Sequence, residues 1–577
     1  MTTVRFLCTV LIFFASFLSS KAQVKDNSSI TILYNAKVYT VNKSQPWAEA
    51  LVVKNGKILF VGSNKEAFRY SSNKTDRVDC HGNFLMPGFI EGHGHLHGLG
   101  AYLNQLRLKE VKSWEEIVAQ VAAAAKNTPK GQWIIGRGWH QEKWNHPPTK
   151  NYLGYPYHEE LDRVSPYNPV ILYHASGHGA YVNAKAMELM NLSQQTKDPV
   201  GGSIVRDAAG EIVGMLEESA QQLAMNAYQQ WRNRLSETAL KADYAHNVKT
   251  AEEECLRRGI TSFQDAGIPV KQAEWMQEFG KQNKFKIRHY TMVKSSYHDL
   301  LQATKMFPVL NNAHNFLTIN AVKVSLDGAL GSYGAWLLES YTDRENWTGL
   351  NTFELDSLKS IASWCWKNNV QLCVHAIGDK ANRETLNIFE NEIKKDPTKE
   401  HRWRVEHAQH IHPSEIPRFA QNKVIASMQS VHCTSDAPYV IKRLGEERAS
   451  NGAYRWRDFM NAGVVVTNGT DAPVEDVDPL PCLYAAVTRK PANHEAFYAN
   501  QIMTREEALY SYTMANAFAA FQEKEKGSIE IGKFADLVLL DKNLSTCSED
   551  EILQTKVIST WVGGIKKYDA SEKKKSN

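Results

Sequence analysis

Cysteine is scarce in this chain. Eight occur among 577 residues, scattered, with no C-x-x-C and no paired spacing. In a chain of this size that argues against a disulfide framework, and most of the cysteines are expected to be buried apolar side chains. Long hydrophobic runs are also missing. Past the first twenty residues none reaches the ~18 apolar residues of a membrane-spanning helix. Charge of one sign is not in excess: 67 Lys and Arg stand against 63 Asp and Glu, a formal net charge of +4. No basic stripe forms, which excludes nucleic acid as a partner. No internal repeat or low-complexity linker breaks the chain. The composition is that of a globular protein long enough for a large core and a second domain.

The N-terminus reads as a targeting segment. Arg5 precedes the apolar run Phe6 to Leu18, and Ser20-Lys21-Ala22 supplies small residues for cleavage after Ala22. Cys8 lies too early for a lipoprotein. Residues 1–22 are expected to be a signal peptide, and the mature chain, from Gln23, to be soluble and exported to periplasm or medium. Residues 29–86 carry short strands at Ile30–Tyr34, Ala50–Val53 and Lys57–Val61, with Asn55-Gly56 as a hairpin turn. A second strand-rich stretch, residues 516–566 with strands at Gly527–Asp541 and Val557–Lys566, closes the chain. The two are expected to join into one small β domain. Residues 567–577, with Lys573 to Lys575, are expected to be a frayed tail.

Between these ends, in residues 87–515, strands alternate with helical stretches. Candidate strands lie at Phe84–Glu91, Gly259–Asp265, Lys286–Met292, Ala321–Leu326, Val370–His375, Trp403–Glu406, Val424–Met428 and Val464–Thr467. Eight is the number a closed β/α barrel needs, and such barrels keep their chemistry at the C-terminal strand ends. The first strand ends in Glu91-Gly92-His93-Gly94-His95. Side chains alternate along a strand, so His93 and His95 point the same way and can share a metal ion. His375, His407 and Asp471 follow the ends of the fifth, sixth and eighth strands. Neutral imidazole and carboxylate are what a divalent metal requires.

The series Pro87-Gly88-Phe89-Ile90 before His93-x-His95, then His375, His407 and Asp471, resembles the amidohydrolase superfamily. It is most similar to the YtcJ-like branch, related to metal-dependent N-substituted formamide deformylases. Supporting stretches are Gly136–Trp139, Ser176–Asn183, Gly201-Gly202, Gly259–Gly267, Asp327–Ser332, Glu406–Gln409 and Gly469–Pro473. The resemblance runs from about residue 30 to 566. It implies a distorted (β/α)8 barrel, an α/β fold, with a small β-sandwich built from both chain ends. It also implies a fourth-strand lysine, Lys323, that carboxylation would turn into an anionic oxygen ligand. Uncarboxylated, Lys323 has no lone pair to give and would pair with an acid such as Asp327. Two positions depart from the pattern: Glu91 stands where many members have Asp, and Ser430 where proline is common.

The expected cofactor is therefore one or two divalent ions, zinc first and manganese or iron open, held by His93, His95, Lys323, His375, His407 and Asp471. Asp471 is the expected proton acceptor and donor, and His432 is expected to orient substrate. The reaction implied is hydrolysis of an amide-like C–N bond of a small molecule by activated water. An ester or lactone hydrolase, a decarboxylase, an isomerase, or an exported binding protein without catalysis are the alternatives. Oligomeric state is open, a homo-oligomer included. A long insertion, residues 100–255, leaves the first strand end. Its Trp139, His140, His178 and Tyr181 are expected to overhang the barrel mouth and bind substrate, the alternative being that they pack the insertion.

Overall fold

The structure is a computed structural model that describes residues 30–175, 178–491 and 495–572, apart from the side chains of Lys305 and Met306. The expected signal peptide, Ser176-Gly177 and the lysines at 573–575 lie outside the described residues.

Eight parallel strands form the centre: β1 (Phe89–Gly94), β2 (Ile260–Ile268), β3 (Arg288–Val293), β4 (Leu317–Ser325), β5 (Gln371–Ala376), β6 (Arg404–His407), β7 (Ile425–Met428) and β8 (Val466–Asn468). Each pairs with the next in parallel register from β1 through β8. The strands carry side chains such as Ile260, Phe263, Val322, Val374, Val405 and Ala426, all essentially buried, because helices cover the outside and packed side chains fill the inside. Among the described residues no strand ladder joins β8 to β1. The seam is held by single bonds instead: the Asn516 carboxamide donates to the carbonyls of Ile90 (2.6 Å) and Asn468 (2.8 Å), and Asp471 N–H donates to the His93 carbonyl (2.7 Å). The barrel is nearly closed rather than regular.

Both chain ends build the β domain. Lys37–Tyr39 and Phe84–Pro87 share a six-stranded sheet with Leu537–Leu540, Val557–Val562 and Ile565–Asp569. A four-stranded sheet of Ile30–Tyr34, Ala50–Lys54, Lys57–Gly62 and Asp76–Asp79 belongs to the N-terminal part alone. Asn55 and Gly56 both take left-handed φ in its tight hairpin. The run expected as one strand, Phe84–Glu91, is two. Phe84–Pro87 belongs to the β domain and Phe89–Gly94 to the barrel, divided at Gly88, where an added Cβ would meet Thr261 at 2.2 Å. Similarly, only Leu537–Leu540 of the stretch 527–541 is strand, and the last strand continues to Asp569, into the expected tail.

The insertion folds around its own sheet. Strands Leu106–Arg107, Ile134–Trp139, Val170–His174, Gly179–Val182, Ile212–Glu218 and Gly202–Arg206 lie in that spatial order. It is tied to the barrel by the flanking helices Leu96–Leu103 and Glu237–Arg257, which meet so closely that a Cβ on Gly100 would overlap the Asn247 carbonyl. Among the described residues all seven cysteines are free, six of them buried, and no helix is long and apolar enough to cross a membrane.

Candidate metal centre

The C-terminal strand ends bring the expected side chains to one mouth. His93 and His95 leave β1 with ring centroids 5.9 Å apart. His407, at the end of β6, packs 4.7 Å from His93 and 4.4 Å from His375 of β5. Asp471 follows β8 and points its Oδ1 at His95 Nε2 (3.2 Å) and His93 Nε2 (3.6 Å). Two groups of potential ligand atoms converge on Asp471: His93 with His95, and His407 with His432, each group within 4.8 Å. His432, expected to orient substrate, thus lies inside the cluster.

Neighbouring residues fix which nitrogen faces inward. Glu406 Oε2 accepts from His93 Nδ1, so the lone pair of His93 is on Nε2, toward Asp471. Gln429 Oε1 accepts from His407 Nδ1 (2.7 Å), and Gln429 Nε2 donates to the Ser427 carbonyl (3.1 Å), which sets the amide's orientation and frees His407 Nε2. Glu406 is paired in turn with Arg404 (2.7 Å), and Arg404 also donates to Gln264, the Gly92 carbonyl and Ser427 Oγ. A fully buried guanidinium is tolerable because partners surround it. No feature of spacing pointed to Arg404 or Gln429 as supports.

Electrostatics match ligands rather than surface groups. Burial lowers His93 to about 4 and His375 to about 3, so both rings are neutral at physiological pH. Burial opposes ionisation of Asp471, but the neighbouring rings of His95, His93 and His407 outweigh it and hold the carboxyl well below its usual range. Glu406 is likewise held down, burial being overcome by Arg404 and His93. The Oδ1 of Asp471, Nε2 of His375 and Nε2 of His432 are buried without hydrogen-bond partners. Three such atoms, two on imidazoles and one on a carboxylate, face one mouth, a donor set that fits a divalent ion. His407, Ala408 and Asp471 all have positive φ, a conformation costing about 1–3 kcal/mol each for non-glycine residues and characteristic of functional sites.

Lys323 and His375 stand beside these groups. Lys323 is buried on β4, its Nζ 3.5 Å from His93 Nε2 and 3.4 Å from the Ala266 carbonyl, and burial lowers its pKa. Asp327 is not its partner. That carboxylate accepts N–H bonds from Ile377, Gly378 and Trp336 (2.8–2.9 Å), lies 3.4 Å from His375 Nε2, and is raised by burial to about 7. Glu91 is in neither group of converging ligand atoms. It braces the β8 loop through Thr470 N–H, Thr470 Oγ1 and His93 N–H, and burial raises it to about 8. Ser430 donates its N–H to Asn468 Oδ1 and its hydroxyl to the Cys482 carbonyl, bonds that a proline could not make.

For Trp139 and Tyr181 the structure differs from the expected pocket and matches the packing alternative. Trp139 and Tyr181 are fully buried in the insertion's own core with Trp114 and Leu172. Trp139 Nε1 donates to the Leu172 carbonyl and Tyr181 Oη to the Val213 carbonyl. Their rings meet edge to face at 6.1 Å. A side chain sealed in this way packs and cannot line a pocket. His178 is exposed and pairs with Glu218 (3.0 Å), and His140 packs on His174 at 4.6 Å.

Comparison with known proteins agrees with this geometry. The model of the Amidohydrolase family matches residues 76–565. Protein LONG AFTER FAR-RED 3 of Arabidopsis thaliana is 31% identical over 559 residues, covering 93% of this chain and 91% of that one. Putative amidohydrolase YtcJ of Bacillus subtilis is 29% identical, covering 94% and 99%. N-substituted formamide deformylase of Arthrobacter pascens is 25% identical, covering 93% and 98%. The crystal structure of an uncharacterized metal-dependent hydrolase from Pyrococcus furiosus superposes with a TM-score of 0.72 at 28% identity, covering 90% of this chain and all of that one. A nearly closed barrel, a histidine and aspartate mouth, and a family match along most of its length place this chain in the amidohydrolase family.

Proposed function

We propose that the protein hydrolyses a non-peptide, amide-like C–N bond of a small molecule with a divalent metal, zinc first. The observation that carries this reading is the convergence of His93, His95, His407, His432 and Asp471 on one mouth, with buried Asp471 Oδ1 left without a hydrogen bond. His93, His95, His375, His407 and Asp471 would hold the ion, and Lys323 would join them if carboxylated. When bound, such an ion lowers the pKa of a water toward neutrality and polarises a carbonyl. Asp471, held ionised by its histidines, takes a proton from the attacking water on a carboxylate oxygen and passes it to the leaving nitrogen as the C–N bond breaks. His432, whose Nε2 is buried and unpartnered, would orient the substrate carbonyl. Glu406 and Gln429 keep the two inner imidazoles in the ligating tautomer.

The similarity to N-substituted formamide deformylase favours amides over esters. The test is a panel of N-acyl amines, esters and lactones offered to zinc-loaded protein. Turnover of N-acyl amines with release of free amine supports the reading, and turnover of esters or lactones alone overturns it. Export through residues 1–22 belongs to the same proposal, and N-terminal sequencing of native protein tests it: a mature chain starting at Gln23 is expected, and one starting at Met1 contradicts it.

A further inference from the structure

Lys294 is a cation at the mouth that the hydrolytic chemistry does not use. It directly follows β3 and is exposed. Its N–H donates to the Ile268 carbonyl (2.8 Å), which anchors the residue to the end of β2. From there the side chain crosses Gly267. Gly267 has φ +127°, and a Cβ there would lie 3.0 Å from Lys294 Cβ and 3.3 Å from Lys323 Cγ. The missing side chain lets two lysine stems run side by side. They end at different depths. Lys323 reaches down to His93 Nε2, whereas Lys294 Nζ meets Ser325 Oγ at 3.1 Å. Lys323 and Ser325 lie two apart on β4 and so share a face, with Ser325 one layer nearer the rim. Ser325 is also the register partner of His375. The Lys294 ammonium therefore stands above the metal-ligand layer, on the His375 side.

Among the described residues Ser325 Oγ is the only hydrogen-bond partner of this ammonium, and no carboxylate oxygen comes within ion-pair distance of it. Three acids near the site have other partners: Asp327 three backbone N–H groups, Glu406 Arg404 and His93, Glu91 Thr470. A lone ammonium beside a hydroxyl, held over a reacting centre, offers two donors to one monoanion. A phosphate dianion would call for further cations or a cluster of backbone N–H groups. We propose that Lys294, with Ser325, binds a carboxylate of the substrate, so that the amides hydrolysed carry an acid a few atoms from the scissile bond. This inference rests on the hydrolytic reading of the same mouth and narrows it to acidic amides.

Two measurements test it. The first compares kcat/KM for N-acetyl-β-alanine and for its uncharged analogue N-acetyl-3-aminopropanol. A charge-assisted bond at Lys294 predicts that the wild-type protein favours the acid and that Lys294→Met lowers the acid-to-alcohol ratio by about 10–100-fold. Lys294→Arg should keep most of the preference. The second needs no turnover. Acetylation of Lys294 by an N-hydroxysuccinimide ester is followed by mass spectrometry, with exposed Lys126 as internal reference. The ketone isostere 5-oxohexanoate should slow labelling of Lys294, and 6-hydroxyhexan-2-one should not. Equal turnover of acid and alcohol, with Lys294 labelled equally under both ketones, overturns the carboxylate site while C–N hydrolysis stands. Protection by 5-oxohexanoate in a protein that cleaves no amide upholds the site and refutes C–N hydrolysis instead.

Discussion

His93 donates its Nδ1 hydrogen to Glu406 across the barrel, from the end of β1 to the end of β6. The bond leaves Nε2 of His93 free to ligate, and Arg404 holds the carboxylate in place from behind. Losing such a support typically weakens metal binding by about 10–100-fold. Glu406→Gln, which keeps the shape but not the charge, is expected to fall in that range when zinc affinity is measured by chelator competition. An affinity equal to wild type would show that Glu406 does not orient His93.

Asp471→Asn removes the proton acceptor with little change in volume. General acid–base groups contribute about 10² to 10⁴ in rate, and the fall in kcat should be of that size or larger with thermal unfolding preserved. A turnover number near that of wild type rules Asp471 out as the proton carrier.

Trp139 and Tyr181 make the opposite prediction. Both are sealed in the insertion's core, where truncating a large aromatic costs about 3–5 kcal/mol. Trp139→Ala and Tyr181→Ala should lower the melting temperature of the insertion and reduce activity toward all substrates alike. A change of substrate preference at unaltered melting temperature would return them to the pocket.

At the barrel seam, Asn516 satisfies the carbonyls of Ile90 and Asn468 with one buried amide group. Asn516→Leu strands both acceptors, and a buried unsatisfied polar group costs about 1–3 kcal/mol. Denaturant unfolding should show a loss of roughly 2–6 kcal/mol from the two. A neutral effect would mean that water or backbone movement closes the seam without Asn516.

Much of this architecture was legible because strand ends announce themselves. Apolar runs closing in His93-x-His95, His375, His407 and Asp471 located both the barrel and its mouth, and the fold followed from counting them. What escaped was whatever depends on distance in space rather than along the chain. Gln429 and Asn516 act on residues 22 to 426 positions away, and their own neighbourhoods carry no motif; Arg404 neighbours Glu406 along the strand, but its bond to the Gly92 carbonyl spans 312 positions. The split at Gly88 was hidden because an apolar run reads the same whether it serves one sheet or two. The aromatics of the insertion misled for a related reason. Trp139 and Tyr181 combine an apolar ring with a polar tip, which suits a pocket, but each tip finds a backbone carbonyl inside the insertion's own sheet. Lys294 gave no signal at all, since an isolated lysine beside two serines is ordinary surface sequence until Gly267 and Ser325 are placed around it.

The central claim is that this mouth holds a catalytic metal. Elemental analysis of purified protein, wild type beside the His93→Ala, His95→Ala double variant, tests it most directly. The account predicts at least about one tightly bound divalent ion per wild-type chain, and none in a double variant that still folds and no longer hydrolyses. A folded double variant that keeps its metal in stoichiometric amount, or a wild-type protein that hydrolyses amides at full rate with no metal, would contradict it.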